Sequence, residues 1–209
     1  MDKSKKKKHE TYTRRSFLKG MGGGALGVTV ASRLLGKDSA HAESEEGELA
    51  TLAKKRITFI VNGKSVTLDV EPRETLLDVL RKELNLTGAK KICDRAECGG
   101  CTVLLDDKPI YSCQSLAIRA NGKRITTVEG LAEGKSLHPV QQAFINKDGY
   151  QCGFCTPGFI IASVALLNHN KTPSQEDIKS ALSGNLCRCG NYAKIMQAVQ
   201  DAAGTMRKD

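Results

Sequence analysis

Residues 93–101 read Cys93-Asp94-Arg95-Ala96-Glu97-Cys98-Gly99-Gly100-Cys101, and Cys113 follows after eleven further residues. Cysteines separated by one or two residues, as Cys98 and Cys101 are, strain a disulfide between them, whereas their thiolates converge readily on a metal. Gly99 and Gly100 let the backbone pass close to a bound group. The stretch therefore predicts a loop that is built around a metal centre.

Four more cysteines form a second group, in which two residues separate the first pair and one residue separates the second pair. The first group has the spacing of plant-type [2Fe–2S] sites, and eight cysteines fill two four-thiolate sites with none left over. The sequence thus predicts two [2Fe–2S] clusters. Their predicted ligands are Cys93, Cys98, Cys101 and Cys113 for the first cluster, and Cys152, Cys155, Cys187 and Cys189 for the second.

Two other uses of the cysteines stay open at this point. An even number of cysteines in an exported protein is typical of disulfides. Four cysteines also bind structural zinc, although zinc sites usually repeat short Cys-x2-Cys pairs at both ends. His138 and His169 are candidate ligands of a Rieske-type site, which eight thiolates make unnecessary.

The positive charge of the chain is concentrated in its first 42 residues. They hold ten Lys and Arg against three Asp and Glu, which makes up +7 of the chain's net charge of +9. The remainder of the chain is therefore nearly neutral, and nucleic-acid binding is not expected. Basic residues, a short apolar stretch and Ala40-His41-Ala42 follow one another as in an export signal, and Arg14-Arg15 resembles a twin-arginine signal. The apolar stretch is too short to span a membrane. We expect a signal peptide at 1–42, a flexible lead-in at 43–53, and export of the folded chain to the periplasm.

Alternating apolar residues indicate a first domain at 54–130. Two alternating stretches, 56–61 and 64–70, flank Asn62-Gly63, the strongest short hairpin signal. A helical stripe at 74–84 precedes the cysteine loop, and the remaining short strands are expected at 102–105, 108–111 and 125–128. This order of hairpin, helix, cysteine loop and strands resembles the β-grasp fold of plant-type ferredoxins.

The pattern becomes helical in a second domain at 131–209. Helices are expected at 140–146, 158–168, 174–183 and 192–206, with Thr156 and Asn191 as the N-caps of the second and fourth. These two helices follow the cysteine pairs directly, so their partly positive N-termini would face an anionic cluster and stabilise it. The predicted fold class is α+β: an N-terminal β-grasp, plant-type ferredoxin domain followed by an all-α, four-helix [2Fe–2S]-binding domain.

Five segments carry a family resemblance: TLLDVLR at 75–81, CGGCTV at 98–103, EGL at 129–131, QCGFCTPG at 151–158 and GNLCRCG at 184–190. The chain resembles the iron–sulfur small subunit of the molybdenum hydroxylases, the xanthine dehydrogenase and aldehyde oxidoreductase family. With its leader, it is similar to the periplasmic aldehyde oxidoreductases of that family.

The resemblance implies an electron-transfer subunit of an oxidoreductase, with no catalytic residue on this chain. Its partner would be a large subunit whose molybdopterin cofactor hydroxylates an aldehyde or an aromatic N-heterocycle. Electrons would pass through the second cluster and then the first, and leave through an FAD-binding subunit or another acceptor. Gln151 and Cys152 would lie against the pterin.

The first cysteine loop departs from the family at Ile92 and Ala96, where glycine is usual. All four cysteines are kept, so we expect the cluster to bind. We expect the added side chains to affect the reduction potential of that cluster instead. The alternative functions are a free-standing two-cluster ferredoxin and a non-redox exported protein held together by zinc or disulfides.

Overall fold

The computed structural model describes residues 53–207 as a mixed five-stranded sheet with five helices. The predicted signal peptide and all but the last residue of the predicted lead-in lie outside the described residues. The domain boundaries at 54–130 and 131–209 stay predictions. Within residues 53–207, none of the helices has the length and apolar character needed to cross a bilayer.

The sheet is built from strands β1 to β5 in the spatial order β2-β1-β5-β3-β4. Only the β1–β5 pair is parallel among the strand pairs of residues 53–207. Asn62 and Gly63 join β1 to β2 with φ of 50° and 77°, the left-handed backbone that a tight hairpin turn requires. The strand bounds are β1 Lys55–Val61, β2 Lys64–Val70, β3 Thr102–Leu105, β4 Lys108–Tyr111 and β5 Arg124–Thr126.

The last strand is shorter than its alternating pattern predicts, because it ends at Thr126 and a 3-10 turn begins at Val128. The Asn62 side chain accepts a hydrogen bond from the Thr127 N–H at 2.9 Å and donates one to the Thr127 hydroxyl at 2.9 Å. The Asn62 side chain, from the hairpin turn, therefore forms hydrogen bonds with Thr127 in place of a neighbouring strand.

The helices are α1 Leu76–Lys82, α2 Pro139–Asn146, α3 Thr156–His169, α4 Gln175–Leu182 and α5 Tyr192–Thr205. The expected N-cap at Asn191 is present, but the expectation that Thr156 caps α3 is wrong. Cys155 holds that position, because its backbone is already helical and its carbonyl accepts the Phe159 N–H at 3.2 Å. The helix thus starts immediately after a cysteine of the second group.

Two hydrophobic cores lie on opposite sides of β3. Val103 belongs to the core that the sheet shares with α1, and the next residue, Leu104, belongs to the core of helices α2 to α5. Side chains alternate between the two faces of a strand, so β3 is buried on both sides. Because β3 begins at the residue after Cys101, the first cysteine loop is anchored between the two cores.

Candidate metal centres

The four cysteines of the first group come together around the loop between α1 and β3. The thiols of Cys93 and Cys98 contact each other, and so do the thiols of Cys101 and Cys113. Cys93 also lies close enough to Cys113 to act on it electrostatically. The fold therefore brings the four predicted ligands together as two adjacent pairs of sulfurs.

The backbone of this loop turns its N–H groups toward the sulfurs. Asp94, Ala96 and Gly99 have positive φ, between 57° and 67°. The N–H of Ala96 points at the Cys113 sulfur at 3.3 Å, and the N–H of Glu97 at the Cys93 sulfur at 3.4 Å. Such a concave array of N–H groups offsets the negative charge of thiolates and of a bound cluster.

The pKa values in the first group diverge, because its members differ in burial and in N–H donors. Burial raises the pKa of Cys98, and it raises the pKa of Cys113 to about 11. Burial also raises the pKa of Cys93, but the backbone N–H groups and the Cys98 thiol outweigh it and lower the pKa to about 7. Cys93 thus gives a thiolate near neutral pH, whereas a metal must displace the Cys113 proton.

The second group also converges in pairs. The Cys152 thiol contacts that of Cys189, and the Cys155 thiol contacts that of Cys187. Cys152 and Cys189 are exposed, and Cys187 is buried. Burial, followed by the Cys187 thiol, raises the pKa of Cys155 to about 12, while the N–H of Phe154 and the Cys189 thiol lower the pKa of Cys152.

Helices α3 and α5 both begin beside this second group. Helix α3 starts at the residue after Cys155, and the N–H of Asn191, the N-cap of α5, points at the Cys187 sulfur at 3.4 Å. The Tyr192 hydroxyl oxygen accepts a hydrogen bond from the Cys187 N–H at 2.9 Å. The positive ends of two helix dipoles therefore lie where an anionic group would sit.

The donor set fits a two-iron cluster. All eight cysteines are free thiols. Within residues 53–207, no three His, Cys, Asp or Glu side chains surround one point as the ligands of a single ion would. The sulfurs approach each other in twos instead, and each iron of a [2Fe–2S] cluster takes two thiolates.

A short segment before Cys187 links the two groups. The Leu186 N–H donates to the Cys98 carbonyl at 3.0 Å, and the buried Asn185 side chain donates to the Gly99 carbonyl at 3.0 Å. The Tyr111 hydroxyl donates to the Gly184 carbonyl at 3.1 Å. Sequence reasoning missed these linking residues, because spacing reports on local geometry and the partners are as far as 88 positions apart.

A cavity of about 640 Å³ opens beside the cysteines of both groups. Phe154 and Leu186 at its rim are 55% and 54% exposed, and Ile92 is 44% exposed. Gln151, a predicted pterin contact, is also exposed. The residues that line the cavity are Ile92, Cys98, Cys152, Phe154, Cys155, Leu186, Cys187, Arg188 and Tyr192.

Comparison with known families supports a two-cluster chain. Residues 59–127 match the 2Fe-2S iron–sulfur cluster binding domain, and residues 127–200 match the [2Fe-2S] binding domain. The aldehyde oxidoreductase iron–sulfur-binding subunit PaoA of Escherichia coli is 40% identical over 96% of this chain and 93% of its own. The nicotine 6-hydroxylase small subunit of Paenarthrobacter nicotinovorans is 47% identical over 69% of this chain and 87% of its own.

Solved structures agree with these sequence relatives. A chain of quinoline 2-oxidoreductase from Pseudomonas putida matches with a TM-score of 0.72 and 40% identity, over 75% of this chain and 98% of that one. The aldehyde oxidoreductase of Desulfovibrio desulfuricans matches with a TM-score of 0.71 and 43% identity, over 74% of this chain and 17% of that one. The resemblance carried by the cysteine motifs is thereby confirmed: the chain belongs to the iron–sulfur, electron-transfer small subunits of the molybdenum hydroxylase family and has two [2Fe–2S]-binding domains.

Proposed function

We propose that the eight cysteines are the ligands of the two clusters, in the two groups that the fold assembles. The observation that carries this proposal is the convergence of the thiols into two sets of four, each formed by two contacting pairs. On this reading Cys93 and Cys98 share one iron of the first cluster. In the second cluster, Cys152 shares an iron with Cys189, and Cys155 shares the other with Cys187.

The segment that links the two groups is the proposed route for electrons between the clusters. Cys98 is a ligand of the first cluster, and its carbonyl accepts the N–H of Leu186, the residue before the second-cluster ligand Cys187. The route thus runs from sulfur to sulfur through backbone atoms and one hydrogen bond of 3.0 Å. Asn185 and Tyr111 hold the segment in place through their hydrogen bonds to the first loop and to Gly184.

The partner on the second-cluster side is the large molybdopterin-binding subunit of the family. Exposed apolar side chains surround the exposed Cys152, and exposed apolar patches of this kind mark interaction sites. Gln151 and Cys152 are the proposed contacts with the pterin, whose molybdenum supplies the oxidation of the substrate. An exposed apolar rim of this kind favours a lasting partner, and therefore the subunit role, over a free-standing ferredoxin.

The sheet order and the single helix α1 support the β-grasp fold for the first domain. The order β2-β1-β5-β3-β4 places the parallel pair β1 and β5 at the centre of the sheet. Helices α2 to α5 share one hydrophobic core, which supports an all-α fold for the second domain. We assign these two folds as part of the proposal.

Export, substrate and acceptor are further parts of the proposal. The similarity to the Escherichia coli aldehyde oxidoreductase subunit extends over 96% of this chain, against 69% for the nicotine hydroxylase subunit, so it reaches into the predicted twin-arginine leader. The name of this relative supports a role in aldehyde oxidation, whereas export to the periplasm is proposed from the basic residues, the apolar stretch and Ala40-His41-Ala42. The proposed exit for electrons is an FAD-binding subunit on the side of the first cluster.

Purification through a tag on this chain tests the function. We expect a large molybdenum-bearing subunit to co-purify, and the reduced complex to give two distinguishable electron paramagnetic resonance (EPR) signals. Cys187→Ser should abolish one signal and Cys113→Ser the other, because each removes a buried ligand from a different group.

Ser180→Ala is the matched control, since Ser180 is exposed on α4 and belongs to neither group. The control should keep both signals and the partner. Loss of both signals in each single cysteine variant, or purification of a colourless chain, would contradict the assignment of the two sites.

A further inference from the structure

Asn191 is a buried polar residue beside the second cysteine group, and 8% of its surface is exposed. It is the N-cap of α5, a position where an asparagine side chain usually accepts a hydrogen bond from an N–H of the first helical turn. The Asn191 side chain forms no such bond, whereas the N-cap side chains of α2 and α4 do. Its buried amide group therefore serves another contact.

That contact joins the start of α5 to the end of α2. Asn191 Nδ2 donates a hydrogen bond to the Asp148 carbonyl at 2.8 Å. Asp148 follows α2 with a φ of 52°, and the Gly149 N–H donates to the Phe144 carbonyl at 2.8 Å, so the chain turns sharply here. A Cβ at Gly149 would lie 2.9 Å from the Phe144 ring, which leaves this turn little freedom to move. The Asn191 side chain thus binds an acceptor whose position is fixed.

The segment after this turn carries an exposed ligand of the second group. Tyr150, Gln151 and Cys152 are all exposed, and they form no backbone–backbone hydrogen bond with any residue that the structure describes. Cys152 follows Asp148 closely in the sequence. The hydrogen bond from Asn191 therefore anchors the segment that leads to Cys152.

The backbone of Asn191 contacts the other half of the second group. Its N–H points at the Cys187 sulfur at 3.4 Å. Cys187 and Cys189 lie on the turn that leads into α5, and within that turn the Gly190 N–H donates to the Cys187 carbonyl at 3.1 Å. A single residue thus reaches the segment of Cys152 through its side chain and the turn of Cys187 through its backbone.

We propose that Asn191 is a positioning residue of the second cluster, which ties the segment before Cys152 to the turn of Cys187 and keeps its own N–H directed at the Cys187 sulfur. The inference rests on the proposed function, which places a cluster at these cysteines. Hydrogen bonds to ligand sulfurs affect the reduction potential of an iron–sulfur cluster. Reduction adds negative charge to the cluster, so the N–H favours the reduced state and raises that potential. Asn191 thereby makes the second cluster a better acceptor of electrons.

Asn191→Ala in the complete complex tests the proposal, because it removes the side-chain donor without adding charge. EPR-monitored redox titration should show a more negative potential and altered g values for the second cluster, with both properties of the first cluster unchanged. Asn191→Asp keeps the shape of the side chain but cannot donate to the Asp148 carbonyl, and it should shift the potential in the same direction. A contact that only stabilises the fold would lower the melting temperature and leave the potential of a fully loaded complex at its wild-type value.

Asn146→Ala is the matched control, because Asn146 is exposed on α2 close to Asp148 in the sequence, and its side chain accepts a hydrogen bond from Gln142 at 2.9 Å. The control should leave both clusters unchanged. Loss of the second cluster alone in Asn191→Ala would support the same role, because ligands that are no longer held together would not retain the iron.

An unchanged or more positive second-cluster potential in an Asn191→Ala complex with full iron content would overturn the inference and leave the proposed function intact. Loss of both clusters in this variant would also overturn it, because the effect would then not be local to the second group. A wild-type complex without two cluster signals would instead overturn the proposed function.

Discussion

At Gly158, α3 packs directly against the first cysteine loop, and Gly158→Ala tests how tightly the two cysteine groups are joined. A Cβ at this position would overlap the Gly99 carbonyl oxygen and would lie 3.0 Å from both the Gly99 carbonyl carbon and the Asn185 Nδ2. Because the obstacle on one side is backbone, no side-chain rotation can relieve it. Either α3 or the loop must move.

The magnitudes of the opposing effects decide the sign of the change. Alanine is favoured over glycine inside a helix by about 1 kcal/mol. Forcing an extra methyl group into a packed site costs about 1–3 kcal/mol. Displacing the Asn185 hydrogen bond to Gly99 costs about 1 kcal/mol more. We expect a net loss of about 1–3 kcal/mol, with the melting temperature lowered by about 2–4 °C for each kcal/mol.

Gly204→Ala is the matched control, because Gly204 lies in α5 and a Cβ there would meet only the Arg207 guanidinium at 3.9 Å. Thermal unfolding of the cluster-loaded chains, followed by circular dichroism, should give a lower midpoint for Gly158→Ala and an unchanged or slightly higher one for Gly204→Ala. The magnetic interaction between the two reduced clusters should also change in Gly158→Ala alone. Equal midpoints for the two variants would refute the close packing of α3 against the first cysteine loop.

Two further predictions concern His138 and Ile92. Burial, with a contribution from Lys171, lowers the pKa of His138, whose Nδ1 accepts the Val140 N–H at 3.2 Å. The contribution of neutral His138 to the free energy of unfolding is therefore complete above about pH 6.5 and is lost as the pH falls. Denaturant titrations between about pH 7 and pH 5 should show a smaller loss of unfolding free energy in His138→Asn than in wild type, and equal losses would argue against this role for the cap. Ile92→Ala should shift the potential of the first cluster to a more positive value, because it admits water beside Cys98 and water stabilises the more negative reduced state. Ile60→Ala, a similarly exposed isoleucine on β1, should leave both potentials unchanged in the same redox titration, and a shift as large as that of Ile92→Ala would contradict the local effect.

Local features of the fold could be predicted from the sequence because they depend on neighbouring residues. The alternation on either side of Asn62-Gly63 predicts the hairpin, and proline or asparagine before an apolar stripe predicts the helix starts within one or two residues. The cysteine spacing likewise predicts the two groups, since close spacing limits where the sulfurs can lie. The family then follows from motifs around those same cysteines.

Contacts between distant segments could not be predicted in this way. The pairing of Asn185 with Gly99, and of Tyr111 with Gly184, depends on how α3 packs against β3. The early end of β5 has the same origin, because Asn62 reaches across from the hairpin turn to Thr127.

Iron, zinc and acid-labile sulfide in the purified complex, counted per copy of this chain, test the central claim most directly. If thiolates of the two cysteine groups hold binuclear clusters, each of the two matched domains should contain two irons and two sulfides, and zinc should be absent. Stoichiometric zinc, or a chain without sulfide whose cysteines are joined to one another, would contradict the account.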